Sequence, residues 1–145
     1  MPSLAFLRAR WFLLALSASV PAVAFFAMAP RIGLHASVPG ALTVFLGIAP
    51  VLEELVFRGL LQGWLLQQPS VAQRNYAGIS LANALTSGVF AAAHLLREPW
   101  PWAAATLLPS LVFGVARERS GGVIAPIVLH MAYNGALVAG LLLGL

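Results

Sequence analysis

The feature that most constrains this chain is a succession of apolar runs, each near the length a helix needs to cross a bilayer. They are separated by short stretches where proline, glycine and arginine collect. A spanning helix takes about 20 mostly apolar residues. Residues 11–29 (with Pro21 inside), 38–66 (with Pro50 inside), 78–96, 100–116 and 123–145 come close to that length. The connectors fall at 31–39, 67–76, 97–99 and 117–122. Of the whole chain 61% is apolar and 8% charged, where a soluble domain carries about 25% charged residues. The mean hydropathy is +0.92. These features predict an all-α fold: a polytopic transmembrane helical bundle of about five helices, with residues 1–145 forming one integral-membrane domain and no internal repeat.

The charges that remain act as signposts. There is no Lys, Asp or Cys, so thiolate and disulfide chemistry are excluded, and every positive charge is Arg. The arginines stand singly or in pairs, without the basic stripe of a nucleic-acid binder. Threaded through five spans, Arg8, Arg10, Arg74, Arg117 and Arg119 share one side, and Arg31 and Arg97 the other. That asymmetry predicts a cytoplasmic N-terminus, in a plasma membrane that the Ala- and Arg-rich, Lys-free composition marks as bacterial. Arg8 and Arg10 ahead of the first run also fit the basic region of a secretory signal, but the run is longer than a signal core and no water-soluble domain follows it. His35 falls in a connector and reads as a solvated residue. Trp11, Trp64, Trp100 and Trp102 lie near span ends and read as interface anchors.

An ionisable side chain at mid-bilayer costs several kcal/mol by insertion scales, so such residues face the bundle interior and tend to be functional. The second run holds Glu53, Glu54, Arg58 and Gln62, the third Asn83 and His94, and the fifth His130 and Asn134. Glu54 and Arg58 are at i and i+4, so they share a face and can pair. Glu53 is turned about 100° away and left for another partner. Phe90 and His94 repeat the i, i+4 spacing, as do His130 and Asn134. Pro50 predicts a kink or a restarted helix, which would put both glutamates near a first turn, where the helix dipole favours anions. Gln62 and Asn83 read as interhelical hydrogen-bonding groups. His94 falls near the outer end of its span and His130 in the inner half of its own, so straight helices would hold them at different levels.

Glu53-Glu54-x-x-x-Arg58 within "EELVFRGLLQ", Phe90-x-x-x-His94, and His130-x-x-x-Asn134 within "GGVIAPIVLHMAYN" occur in that order on successive apolar segments. Together they resemble the three signature motifs of the CAAX protease and bacteriocin-processing family, the Ras-converting type of glutamic intramembrane endopeptidase, and this chain is similar to its short bacterial members. The resemblance implies hydrolysis of a peptide bond in a membrane-anchored protein or peptide tail, CAAX-like or a sorting signal. It implies that Glu53 activates the water, His94 holds or polarises it, and His130 and Asn134 stabilise the oxyanion. Glu54 and Arg58 would support the site, and Phe90 would pack beneath it. No cofactor is expected. A zinc ion on Glu53, His94 and His130 is the alternative, disfavoured because His-Glu-x-x-His spacing is absent and Asn is a poor zinc ligand. Two other readings are a non-catalytic bacteriocin-immunity or membrane-assembly protein, and a proton-relay or transport subunit. The second of these lacks the paired halves such proteins show.

Overall fold

The computed structural model describes residues 4–20 and 40–143. A single 3₁₀ stretch, Leu4–Arg8, leads into α1 (Arg10–Ser17). Most of the remainder of the first expected span, together with Arg31 and His35, lies outside the described residues. A continuous helical stretch, α2, covers 41–65. Then come a short helix α3 (Pro69–Ala72) and a two-stranded hairpin, β1 (Asn75–Tyr76) against β2 (Ile79–Ser80). Four helices follow: α4 (Leu81–His94), α5 (Trp100–Ala105), α6 (Leu107–Ser120) and α7 (Ile124–Leu143). The fold is all-α apart from that hairpin. α6 packs along both α4 and α7, and α2 lies against α7, α4 and α6.

α2 explains why Pro50 neither breaks nor restarts the chain. It begins at Gly40, which adopts the left-handed φ of 82°, and it alternates α-helix with two π-helical stretches, Val44–Ile48 and Leu55–Leu61. The wide turn just before Pro50 accommodates a residue that donates no N–H and crowds the preceding carbonyls. Glu53 and Glu54 therefore sit mid-helix, more than two turns from the N-terminus. The expectation that a helix dipole favours their charge is corrected, because that field is confined to the first turn.

The wide turns also straighten the side-chain rows. In an α-helix four residues overshoot one turn by about 40°, so a row at every fourth position winds away. π-turns hold more residues each and cancel part of that drift. Val44, Ile48, Leu52, Val56, Leu60 and Trp64 all stay exposed, Leu60 at 71%, while Glu54, Arg58 and Gln62 all stay fully buried. The polar row faces in and the apolar row faces out.

Two connector boundaries move. The hairpin pushes the start of the third helix from 78 to Leu81. Ala77 (φ 52°) and Gly78 (φ 85°) make its turn, the geometry favoured by two-residue hairpins, and Ser80 caps α4 by accepting from the Asn83 amide at 2.9 Å. Residues 117–120, expected in a connector, complete α6, which ends at Gly121 with φ 70°, the usual left-handed stop. Partners hold this last turn: Arg117 Nε donates to the Arg58 carbonyl at 3.1 Å, and Glu118 Oε1 accepts from Gln62 Nε2 at 2.7 Å and from Ser80 Oγ at 2.5 Å. The Arg119 guanidinium stands 5.9 Å from the Trp11 ring centroid.

Among the described residues an apolar cluster of Phe6, Phe12, Phe113, Ala116, Ala125 and Leu129 joins α1, α6 and α7. Arg58, Gln62, Glu54, Asn83, Thr86, Ser87 and Ser110 are among the largest fully buried side chains. Among the described residues no helix is long and apolar enough to cross a membrane; α2 is divided by its π-turns and carries Glu53, Glu54 and Arg58.

The α4–α6 crossing depends on Gly114. A Cβ there would lie 1.8 Å from Asn83 Oδ1, and Asn83 is held by its bond to the Leu111 carbonyl at 2.9 Å and by Ser87 Oγ at 3.0 Å. Gly114→Ala is expected to cost about 1–3 kcal/mol through overpacking. Gly88, with nothing within 4 Å of its Cβ position, is the control: Gly88→Ala should leave stability unchanged or raise it by up to about 1 kcal/mol. Thermal unfolding in detergent reads both, and equal melting of the two variants would show that the crossing is not tight.

Candidate active site

The site is built around the polar row of α2. Glu54 and Arg58 form an ion pair, Arg58 Nε to Glu54 Oε2 at 3.2 Å, with both side chains fully buried. That contact is close but too poorly aligned for a hydrogen bond. The stronger bonds run outward from the pair. Arg58 Nη2 donates to the Ser110 carbonyl at 2.8 Å and to Ser110 Oγ at 2.6 Å, which anchors the guanidinium on α6. Its plane is flanked by aromatic faces, Phe90 at 4.8 Å and Phe113 at 5.6 Å, a favourable setting for a desolvated cation. Among the described residues Arg58 Nη1 has no hydrogen-bond partner.

α7 brings His130 to the pair. Its Nδ1 lies 2.8 Å from Glu54 Oε1, and its Nε2 lies 3.8 Å from Glu53 Oε2. The ring stacks on Phe113, with centroids 5.0 Å apart and planes 23° apart. One histidine thus touches both glutamates, and the two carboxylates differ sharply. Glu54 is paired with Arg58 through one oxygen and hydrogen-bonded to His130 through the other, and it is fully buried. Glu53 makes no hydrogen bond among the described residues, and its side chain is 27% exposed.

Phe90 lies under the centre, against Phe57 (5.0 Å), His94 (4.5 Å) and His130 (6.0 Å). It therefore joins the two histidines that straight helices would have set at different levels. His94, at the last position of α4, is within 2.9 Å of the Phe90 carbonyl through Nδ1. A carbonyl only accepts, so Nδ1 carries a proton, and in the neutral ring Nε2 presents a lone pair.

Asn134 departs from the expected arrangement. Its Nδ2 donates to the Phe45 carbonyl at 2.9 Å, tying α7 to the first π-turn of α2. One of its amide hydrogens is thus spent on the backbone instead of aiming beside His130. Among the described residues no three His, Cys, Asp or Glu side chains gather as a metal site; in both His94 and His130 it is Nδ1 that is engaged, by the Phe90 carbonyl and by Glu54.

Gln62 and Asn83 do join helices. Gln62 Nε2 donates to the Gly114 carbonyl at 3.1 Å as well as to Glu118, and Asn83 reaches the Leu111 carbonyl. Ser110, Ser80, Phe113 and Glu118 were not singled out by sequence reasoning. Serine and phenylalanine carry no signal in apolar runs, and Glu118 lay in what read as a connector. The one available signal was that Glu118 is one of four acids in the chain.

Comparison with known proteins gives this geometry a context. The family described as type II CAAX prenyl endopeptidase Rce1-like matches residues 35–136, a span that takes in every residue of the site. An Escherichia coli protein described as an uncharacterized 24.3 kDa protein is 38% identical over 104 residues, covering 71% of this chain and 43% of that protein. The chain therefore spans less than half the length of that curated relative. No solved structure matches. With the family matched over most of its length and the motif residues of three helices meeting at one centre, the chain belongs to the Rce1-like CAAX endopeptidase family.

Proposed function

We propose that this chain is a membrane-embedded endopeptidase in which Glu53 activates water to cleave a peptide bond in a membrane-anchored, CAAX-like tail. The observation that carries this is the inequality of the adjacent carboxylates. Glu54 is neutralised and sealed by Arg58 and His130, while Glu53, beside His130 Nε2, keeps a partly exposed carboxylate without a hydrogen bond. A catalytic base must be reachable and have a free lone pair, and Glu53 meets both conditions. The membrane setting is supported by the inverted burial of α2, since buried charges and exposed apolar rows suit hydrocarbon as solvent. The continuous helical stretch 41–65, at about 1.5 Å per residue, is roughly 35 Å long, enough for a hydrocarbon layer of about 30 Å.

In the reaction Glu53 takes a proton from water, and the water oxygen bonds to the scissile carbonyl carbon. The charge that develops on the carbonyl oxygen is met by His130 and by the Asn134 N–H not used by Phe45. The C–N bond then breaks as the leaving nitrogen takes the proton from Glu53, which gives a free acid and an amine. His94, its Nε2 lone pair fixed by the Phe90 carbonyl, is suited to accept a hydrogen bond from the water. No step requires a metal.

The test uses an internally quenched peptide with a farnesylated CAAX terminus, and the same peptide without the lipid, against the full chain in detergent or nanodiscs. Glu53→Gln is expected to abolish cleavage with unchanged melting; near-normal cleavage would remove Glu53 as the base. His130→Ala should lower turnover by roughly a hundredfold, as loss of an oxyanion-stabilising group does.

Arg58→Ala is expected to act through folding. It leaves Glu54 buried with half its compensation, a loss of about 3–5 kcal/mol. A variant that melts normally in detergent yet is inactive would give Arg58 a part in the chemistry.

Activity should withstand prolonged 1,10-phenanthroline and EDTA, with zinc well below one ion per chain by mass spectrometry. Loss on chelation with recovery on adding zinc would move the chemistry to a metal that the resting geometry does not assemble.

A further inference from the structure

Glu54 touches more than its counter-ion, and the second contact has a chemical consequence. Its Oε1 lies 2.8 Å from His130 Nδ1, while its Oε2 faces Arg58 Nε at 3.2 Å. A carboxylate held by a guanidinium is ionised and only accepts. The 2.8 Å contact is therefore a bond in which His130 Nδ1 donates, and that nitrogen carries a proton whatever the state of the rest of the ring.

We infer that Glu54 is a positioning residue for His130: it fixes Nδ1 as the protonated nitrogen and leaves Nε2 as the only nitrogen of that ring that faces the reaction. The inference rests on the endopeptidase reading above and deepens it. Three contacts fix the ring. Glu54 holds Nδ1, Phe113 stacks on the face at 5.0 Å, and Phe90 meets it edge-on at 6.0 Å. The remaining corner, Nε2, is directed to Glu53 Oε2 at 3.8 Å. Because the bonding partner of one nitrogen sets the role of the other, Glu54 decides what Nε2 does. In the neutral ring Nε2 is a lone pair, and in the protonated ring it is a donor. Protonated from solvent before the water attacks, Nε2 faces the oxyanion as N–H and keeps that proton, while Nδ1 stays bound to Glu54 throughout and the water proton passes through Glu53 to the leaving nitrogen. Arg58 serves His130 indirectly: it pairs with Glu54 Oε2 at 3.2 Å and is itself anchored to Ser110 Oγ. The residue next to the base thus sets the tautomer of the histidine across from it.

The chain has three histidines, so 15N-histidine labelling gives a short spectrum, and the His130 signals are identified by their loss in His130→Ala. In the full-length protein in nanodiscs, His130 Nδ1 should appear protonated and hydrogen-bonded. In Glu54→Ala the Nδ1 proton should be lost in favour of Nε2–H. Glu54→Ala/Arg58→Met, which removes both charges together, provides the same readout should the single variant fail to fold. An unprotonated Nδ1 in the wild type, or one unchanged when Glu54 is removed, would overturn the inference.

A double-mutant cycle on the quenched farnesyl peptide gives the kinetic arm. Glu54→Ala and His130→Ala should each lower kcat by roughly a hundredfold with little change in KM, and the double variant should be no slower than the slower single, because both remove one device. Losses that multiply would mean that Glu54 acts apart from His130. The two readings separate cleanly: with no peptide cleaved by the wild type the endopeptidase reading fails, while the nitrogen spectrum still decides the role of Glu54.

Discussion

The fully buried Glu54 carboxylate holds the centre together. It is shared between Arg58 on its own helix and His130 on α7, and Arg58 passes the connection on to Ser110 of α6. Three helices thus meet through one anion. Burying a charge costs several kcal/mol, which only good geometry and full compensation recover. Glu54 has a guanidinium on one oxygen and an imidazole N–H on the other. Arg58 in turn has a serine, a carbonyl and two aromatic faces. Removing one member leaves the others as uncompensated charge, so the helices are fixed in register more by the cost of separating the network than by apolar packing.

The π-turns of α2 make this possible. In a regular helix the row Glu54, Arg58, Gln62 would drift by about 80°. The wide turn over Leu55–Leu61 trims that drift, so Gln62 can reach Glu118 and the Gly114 carbonyl while Glu54 reaches His130. A second polar clamp at the foot of the site results: Gln62, Ser80 and Glu118 join α2, the hairpin and α6. The polar row of α2 is therefore braced at both ends, by His130 at Glu54 and by Glu118 at Gln62.

The parts of this centre written in local spacing were legible in the sequence. Glu54 with Arg58, and Phe90 with His94, follow from i, i+4 geometry. Among the described residues the helical runs follow from hydropathy, and they changed at the hairpin before Leu81, at Thr106, where the fourth run divides into α5 and α6, and at Gly121. The parts that depend on approach between distant segments were hidden. His130 was visible as a polar residue in an apolar run, but its bond to Glu54 spans 76 positions, and nothing local says which glutamate it chooses. Asn134 read as a free donor because its acceptor is a backbone carbonyl, which every residue has. Pro50 read as a break because propensity concerns regular helices, and a wide turn has no signature in composition. Glu118 was lost among the charges of an expected connector.

Glu53 draws its accessibility from the same architecture. It lies about 100° around the helix from Glu54, between the sealed polar row and the exposed row of Leu52 and Val56. A residue on that border is neither closed off by Arg58 nor turned fully outward, and its partial exposure is the geometric consequence. In the proposed reaction a substrate tail approaching along the apolar face meets Glu53 at the edge of the row, with His130 Nε2 behind it. Shifting the helix by one residue would place Glu53 inside, where Arg58 would neutralise it, or outside, where no histidine faces it. One angular step thus separates the two adjacent glutamates: the one facing inward is paired with Arg58 and His130, and the one at the border keeps a partly exposed carboxylate, which in the proposed reaction is open to water.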